Sequence, residues 1–173
     1  GRLENLRQFK NKIKFYKSDL SKKGKWKKLF TKDVSYVFHL AAQPLVSVGY
    51  SAPKITFDTN ILGTINILEV AKTCKSCKVI INVTTDKVYE NREEQVSFRE
   101  DDPLGGKDPY SCSKVCSELI TRSYYKSVFE TLKIGISTAR AGNVIGGGDW
   151  ATDRLIPDLI RSHHQGKKML LRN

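Results

Sequence analysis

Val79-Ile80-Ile81-Asn82-Val83-Thr84 is a short apolar run interrupted by one amide, and it delivers Thr85-Asp86-Lys87 to its C-terminal end. A run of this length, rich in β-branched residues and closed by polar ones, reads as a buried strand of a parallel sheet. Tyr110-Ser111-Cys112-Ser113-Lys114 follows on what reads as a helix, where residues four apart share a face. An ammonium at 114 can lower the pKa of the phenol at 110 by charge attraction, while the Thr85 hydroxyl reaches it from the strand. Such a phenol can act as a base near neutral pH. Each piece alone is common. In strand-then-helix order they form one catalytic signature, with Thr85, Asp86, Lys87, Tyr110 and Lys114 as its members.

Strands and helices alternate on both sides of this stretch. Lys12 to Lys17 alternates polar and apolar like a strand and ends at Ser18-Asp19-Leu20, and a basic helix follows from about Lys25 to Phe30. Val34 to Leu40 is a continuous apolar run of the buried parallel type. Thr59 to Cys74 reads as a helix capped by Thr59 or Asn60, with Ile61, Ile65, Leu68 and Ala71 facing inward. Tyr110 to Phe129 is a long helix and Lys133 to Ala139 a further strand. This order predicts an α/β fold, a doubly wound parallel sheet, with ligands outside the carboxyl ends of the strands. The polar or small residues at those ends are Asp19, Ala41-Ala42-Gln43, Thr85-Asp86-Lys87 and Arg140 to Asn143.

Five segments together carry a resemblance: Val37 to Val46 (VFHLAAQPLV), Asn82 to Lys87 (NVTTDK), Arg99 to Gly106 (REDDPLGG), Asp108 to Lys114 (DPYSCSK) and Arg140 to Trp150 (RAGNVIGGGDW). In this order they are similar to the extended short-chain dehydrogenase/reductases, and within them to the nucleotide-sugar 4,6-dehydratases. Lys87, where other members carry an acid, and Gly146-Gly147-Gly148-Asp149-Trp150 with Asp153 to Asp158 narrow the substrate subgroup. The resemblance implies a Rossmann-type fold, NAD as cofactor and a nucleotide sugar as substrate. Asp19 and Leu20 would then border the adenine. Leu40, Ala41, Ala42, Gln43 and Thr59 would line the cofactor's middle, and Tyr110 with Lys114 its nicotinamide ribose. Thr85, Asn143 and Arg154 would meet the substrate, Arg154 because guanidinium suits phosphate; an ion pair with Asp153 or Asp158 is the plain alternative.

The implied reaction oxidises C4 of the sugar, removes water across C5 and C6, and returns hydride to C6. Tyr110 would take the proton of the 4-hydroxyl, Lys87 the C5 proton or the charge of the enolate, and Asp86 would protonate the departing 6-hydroxyl. An acidic Asp86 needs a raised pKa, and a neighbouring Lys87 ammonium works against that. The family pairs through the tyrosine helix, so a homodimer is implied as well. Its catalytic unit is longer than this chain, and the G-x-G-x-x-G turn that opens it is not among these residues. Residues 1–145 therefore read as a partial NAD-binding domain and 146–173 as the start of the substrate-binding region. Ser47-Val48 departs from the subgroup, which carries basic residues there.

At 173 residues the chain can bury one core. Its charge of +12, from 30 Lys and Arg against 18 Asp and Glu, is concentrated early: between Lys10 and Lys32 ten lysines face Asp19 alone. Clustered lysines with Phe15, Tyr16 and Trp26 interleaved admit a nucleic-acid reading, but a solvated basic face and an apolar stripe of Trp26, Leu29 and Phe30 account for the same residues. Cys74/Cys77 and Cys112/Cys116 are read as small apolar residues, with no metal site. No stretch reaches the roughly 20 apolar residues of a membrane span, so a soluble, cytoplasmic protein is expected. Two alternatives stay open: another extended dehydrogenase/reductase, an epimerase or reductase that needs Tyr110 and Lys114 but not Asp86 and Lys87, and a non-catalytic basic binding module.

Overall fold

The computed structural model describes residues 3–22, 24–30, 33–93 and 97–169. They fall into two compact units, one of residues 17–142 and one joining 1–16 with 143–173.

The larger unit is built on three parallel strands, β1 (Tyr36–His39), β2 (Val79–Val83) and β3 (Gly135–Ala139), in the order β1-β2-β3. Their register sets side chains in rows across one face. Val37, Ile80 and Ile136 form an apolar row, and two residues further along His39, Asn82 and Thr138 form a polar one. Helices lie between the strands in sequence. After β1 come α1 (Val46–Ser51), α2 (Pro53–Phe57), a wide π turn (Asp58–Leu62) and α3 (Gly63–Ala71). After β2 come a 3-10 turn (Asp86–Val88), α4 (Pro109–Tyr124), a second π turn (Tyr125–Phe129) and α5 (Glu130–Leu132). Lys133 closes α5 with φ +56°, the left-handed cap that turns the chain into β3.

The core joins Ile80 and Val37 of the sheet to Ile67, Leu68, Val70 and Ala71 of α3, with Phe129, Ile134, Trp26, Cys74 and Cys77. Leu68, Ile80 and Phe129 are essentially inaccessible, and burying each contributes about 2–3 kcal/mol. Cys112 and Cys116 are half-buried on α4. Among the described residues no helix is long and apolar enough to cross a membrane.

Four details differ from the sequence expectation. Lys12 to Lys17 is exposed and forms no strand, because alternation makes a strand only where a ladder partner exists, and none pairs with it among the described residues. The helix expected from Thr59 begins at Pro53, whose fixed φ suits a first turn; Thr59 and Asn60 are interior to it, not caps. Polar Lys54, Thr56 and Asp58 and the wide turn had hidden its period, and Ile67 and Val70 are buried where Ile61 and Ile65 are only half-buried. Tyr36, Phe38 and Leu40 are more than 60% exposed, so β1 is covered on one face rather than two. Helix α1 had no periodic signal in its six residues.

The smaller unit holds a 3-10 helix (Leu3–Phe9) and α6 (Leu155–His164). The Asn5 amide donates to the Gly148 carbonyl at 3.3 Å, and Gly148 has φ +79° with no room for a side chain against Asn5.

Candidate active site

The site is assembled where the polar row of the sheet meets α4. Beyond Val83 the strand hands over to buried Thr84 and Thr85, then to exposed Asp86 and Lys87. The Asp86 N–H donates to the Ala141 carbonyl at 3.0 Å and the Thr84 N–H to that of Ala139 at 2.8 Å, so the tips of β2 and β3 stay joined past the ladder. The Thr85 hydroxyl donates to Asp86 Oδ1 at 3.1 Å and receives the Lys87 N–H at 3.4 Å, capping the 3-10 turn that packs against α4.

Asp108 starts α4. Its carboxylate accepts the N–H groups of Tyr110 (2.9 Å) and Ser111 (3.1 Å), while Ser111 Oγ accepts the Asp108 N–H (3.1 Å), a reciprocal cap with Pro109 at the first position. Gly106 lies so close that a Cβ there would come 2.3 Å from the Cys112 nitrogen. Tyr110 is thus held in a fixed first turn, half-buried. One turn on, Lys114 is 6% exposed and its Nζ donates to the Val83 carbonyl at 3.0 Å. Burial pushes its pKa down to about 8 while Glu118 opposes the fall, so Lys114 is still a cation at pH 7.

The polar row continues inward as a hydrogen-bonded seam. His39 Nε2 meets Thr64 Oγ1 at 3.2 Å, Thr64 meets Ser117 at 2.8 Å, and Asn82 donates to Ser117 and Thr121, both at 2.9 Å. Burial, with Lys114 nearby, pushes His39 down to about 4, so its ring is neutral. Asn60 donates to Ser113 at 2.8 Å and accepts the Gln43 N–H at 2.7 Å. Glu118 accepts from Thr84 (2.6 Å), Thr138 (3.0 Å) and twice from Arg140 (both 3.0 Å). Its burial alone would raise its pKa, yet these donors hold it below the usual carboxylate range. Asn60 was expected only as a helix cap, and none of His39, Asn82 and Glu118 was read from sequence as a site residue. The signal that could have found them was polar residues at strand positions of inward parity and at four-residue spacing on α4.

Of the remaining candidates, Leu40 and Ala41 are exposed and Ala42 is half-buried at the β1 end. The Gln43 amide is engaged locally, with Thr56 at 2.8 Å and with both backbone groups of Leu45. Thr59 is half-buried within the π turn. Asp19 is an exposed turn cap, accepting from the Ser21 N–H and hydroxyl, which lower its pKa, and no strand ends there. Leu20 packs against the core. In the smaller unit Asn143 is exposed, Arg154 pairs with Asp149 at 3.3 Å, and Asp158 pairs with Arg161. Ser47 is exposed and Val48 half-buried on α1.

The chain is 48% identical over 142 residues to the CDP-glucose 4,6-dehydratase of Salmonella typhimurium, covering 79% of this chain and 40% of that protein. It is 32% identical over 167 residues to the dTDP-D-glucose 4,6-dehydratase of Dictyostelium discoideum, covering 90% and 37%. It thus spans about two fifths of the length of these relatives. Among solved structures, the dTDP-glucose 4,6-dehydratase DesIV of Streptomyces venezuelae with NAD and TYD bound superposes with a TM-score of 0.84 at 25% identity, covering 96% of this chain and 50% of that one. The UDP-N-acetylglucosamine 4-epimerase of Methanobrevibacter ruminantium gives 0.82 at 26%, covering 96% and 53%. The parallel sheet is thus of the Rossmann type these enzymes share. The family model of GDP-mannose 4,6 dehydratase matches residues 1–172, and with the strand-tip turn packed on the tyrosine helix, the chain belongs to that family.

Proposed function

We propose that this chain carries the catalytic corner of an NAD-dependent hydro-lyase converting CDP-D-glucose to CDP-4-dehydro-6-deoxy-D-glucose. One observation carries the reading: a buried cationic lysine on the face of a capped helix whose first turn bears Tyr110, with the Thr85-Asp86-Lys87 turn packed against it, in a chain 48% identical to a CDP-glucose 4,6-dehydratase. The residues fit NAD. Lys114 uses one of its three donors on Val83 and keeps two, and the small Ala41 and Ala42 leave the end of β1 open to a flat group. When bound, the nicotinamide supplies a hydride acceptor that later gives the hydride back. Tyr110 takes the 4-hydroxyl proton, and the Lys114 charge stabilises the phenolate that makes it a base. Lys87, exposed at the strand tip, removes the C5 proton or holds the enolate, and Asp86 protonates the leaving 6-hydroxyl. Thr85 orders Asp86 through its hydroxyl and meets the sugar.

Asn143 and Arg154 are assigned to the diphosphate, with Arg154 exchanging the Asp149 carboxylate for phosphate oxygens. A homodimer through α4 is supported by Leu119, 52% exposed on that helix. The test is incubation of a version extended to the length of the Salmonella relative with CDP-glucose and NAD, the product being read by mass as loss of one water. Asp86→Asn should abolish water loss and leave C4 oxidation, seen as NADH. Full turnover by Asp86→Asn, or a C4 epimer in place of the dehydrated sugar, would overturn the assignment in favour of an epimerase.

A further inference from the structure

We propose that Glu118 is a positioning residue, a clamp that locks the β2 and β3 tips bearing Thr85, Asp86 and Lys87 to the helix bearing Tyr110 and Lys114. Calling that corner catalytic rests on the dehydratase reading; the clamp itself is made of contacts. Glu118 is 5% exposed, and a carboxylate without water is tolerable only when its oxygens are bonded. Here Oε1 takes Thr84 Oγ1 and Arg140 Nε, and Oε2 takes Thr138 Oγ1 and Arg140 Nη2. Thr84 directly precedes Thr85, and Arg140 lies between Ala139 and Ala141, whose carbonyls hold the N–H groups of Thr84 and Asp86. One side chain of α4 therefore grips both strands on either side of the reactive turn.

Arg140 extends the grip. Its Nη1 donates to the Glu100 carbonyl at 2.9 Å, and its guanidinium lies 4.7 Å from the Tyr89 ring centroid, which stacks on Phe98 at 4.6 Å. A neutral amide at 118 would turn an N–H₂ toward these donors. Glu118 also stands four residues after Lys114, and it is the acid on that helix which favours the protonated lysine. Lys114 acts on His39 of β1, which is neutral at pH 7; α4 itself also bears Tyr110, Cys112 and Cys116, the packed turn bears Asp86 and Lys87, and the helical segment in contact with α4 bears Lys54 and Asp58, which pair with each other.

The experiment uses the 173-residue chain labelled to report the Lys114 side-chain nitrogen and backbone amides by NMR. Glu118→Gln is expected to move the Lys114 titration to lower pH and to speed amide exchange at Thr84 and Asp86 about tenfold, leaving Ala71 of α3 unchanged. A wild-type Lys114 midpoint in a folded Glu118→Gln chain overturns the proposal, since a merely structural residue would lower stability without touching that titration. If Glu118→Gln does not fold, Thr84→Val decides: it removes one donor at nearly constant shape. A greater acceleration over wild type at Asp86 than at Ala71 then supports the clamp, and wild-type exchange at Asp86 overturns it. No readout uses turnover, so failure of the dehydratase reading would leave these outcomes as they stand.

Discussion

Lys114 donates to the carbonyl of Val83 at 3.0 Å, tying α4 to the last residue of β2 with a charge that is 6% exposed. Its folded pKa of about 8 lies below the ordinary lysine value, so between pH 8 and 10.5 the unfolded chain binds more protons. Stability therefore rises with pH across that window, by on the order of 3 kcal/mol. The difference in urea-unfolding free energy between wild type and Lys114→Met, measured from pH 7.5 to 10.5, should show this rise in the wild type alone.

His39 acts with the same sign at the acid end of the range. Its folded pKa of about 4 is below the unfolded value of 6.5, so its contribution is complete above pH 6.5 and is lost as pH falls toward 4. The loss is on the order of 3 kcal/mol. His39→Gln keeps a hydrogen-bonding group beside Thr64 and cannot titrate, and its acid unfolding should be flatter through this range by that amount. Equal acid limbs in the two chains would show that His39 is not buried as described.

Gly106→Ala would set a methyl 2.3 Å from the Cys112 nitrogen, a clash with backbone that no rotamer relieves. The expected cost is about 3 kcal/mol in denaturant unfolding. Gly146→Ala, with nothing within 4 Å of the new atom, should stay within about 0.5 kcal/mol of wild type.

Asp108→Ala removes the acceptor for the Tyr110 and Ser111 N–H groups. It should cost about 1–2 kcal/mol and raise amide exchange at those two residues ahead of the rest of α4. Asp108→Asn, which can still accept, should recover most of the protection.

Much of the fold was legible because the strands carry it locally. Val79 to Thr84 and Lys133 to Ala139 have enough β-branched residues to read as strands, and the Asp-Pro cap marks the start of α4 to within a residue. What failed was whatever depends on a neighbour. Lys12 to Lys17 has a strand's pattern and no partner, and Tyr36 and Phe38 have a core strand's composition on an uncovered face. The site divides the same way. Tyr110, Lys114 and Thr85 stand out by spacing, and the structure carries Lys114 of α4 to Val83 and packs the Thr85 turn against α4. Glu118 was invisible because an acid four residues after a lysine on a helix resembles an exposed ion pair, and only the arrival of Thr84, Thr138 and Arg140 from two strands makes it something else.

The π turn at Asp58–Leu62 has a geometric consequence for that seam. A π turn accommodates one residue more than an α turn, and one residue is about 100° of helix rotation. Thr56 before it and Thr64 after it are both fully buried, one held by Gln43 and the other by His39 and Ser117. The surplus residue works as a phase shifter between two threonines that a regular helix would not aim alike. Deleting a single residue from this turn would leave a straighter, more regular helix with the two threonines seven apart and still on one face, whereas eight residues wound regularly would swing one of them out of the seam.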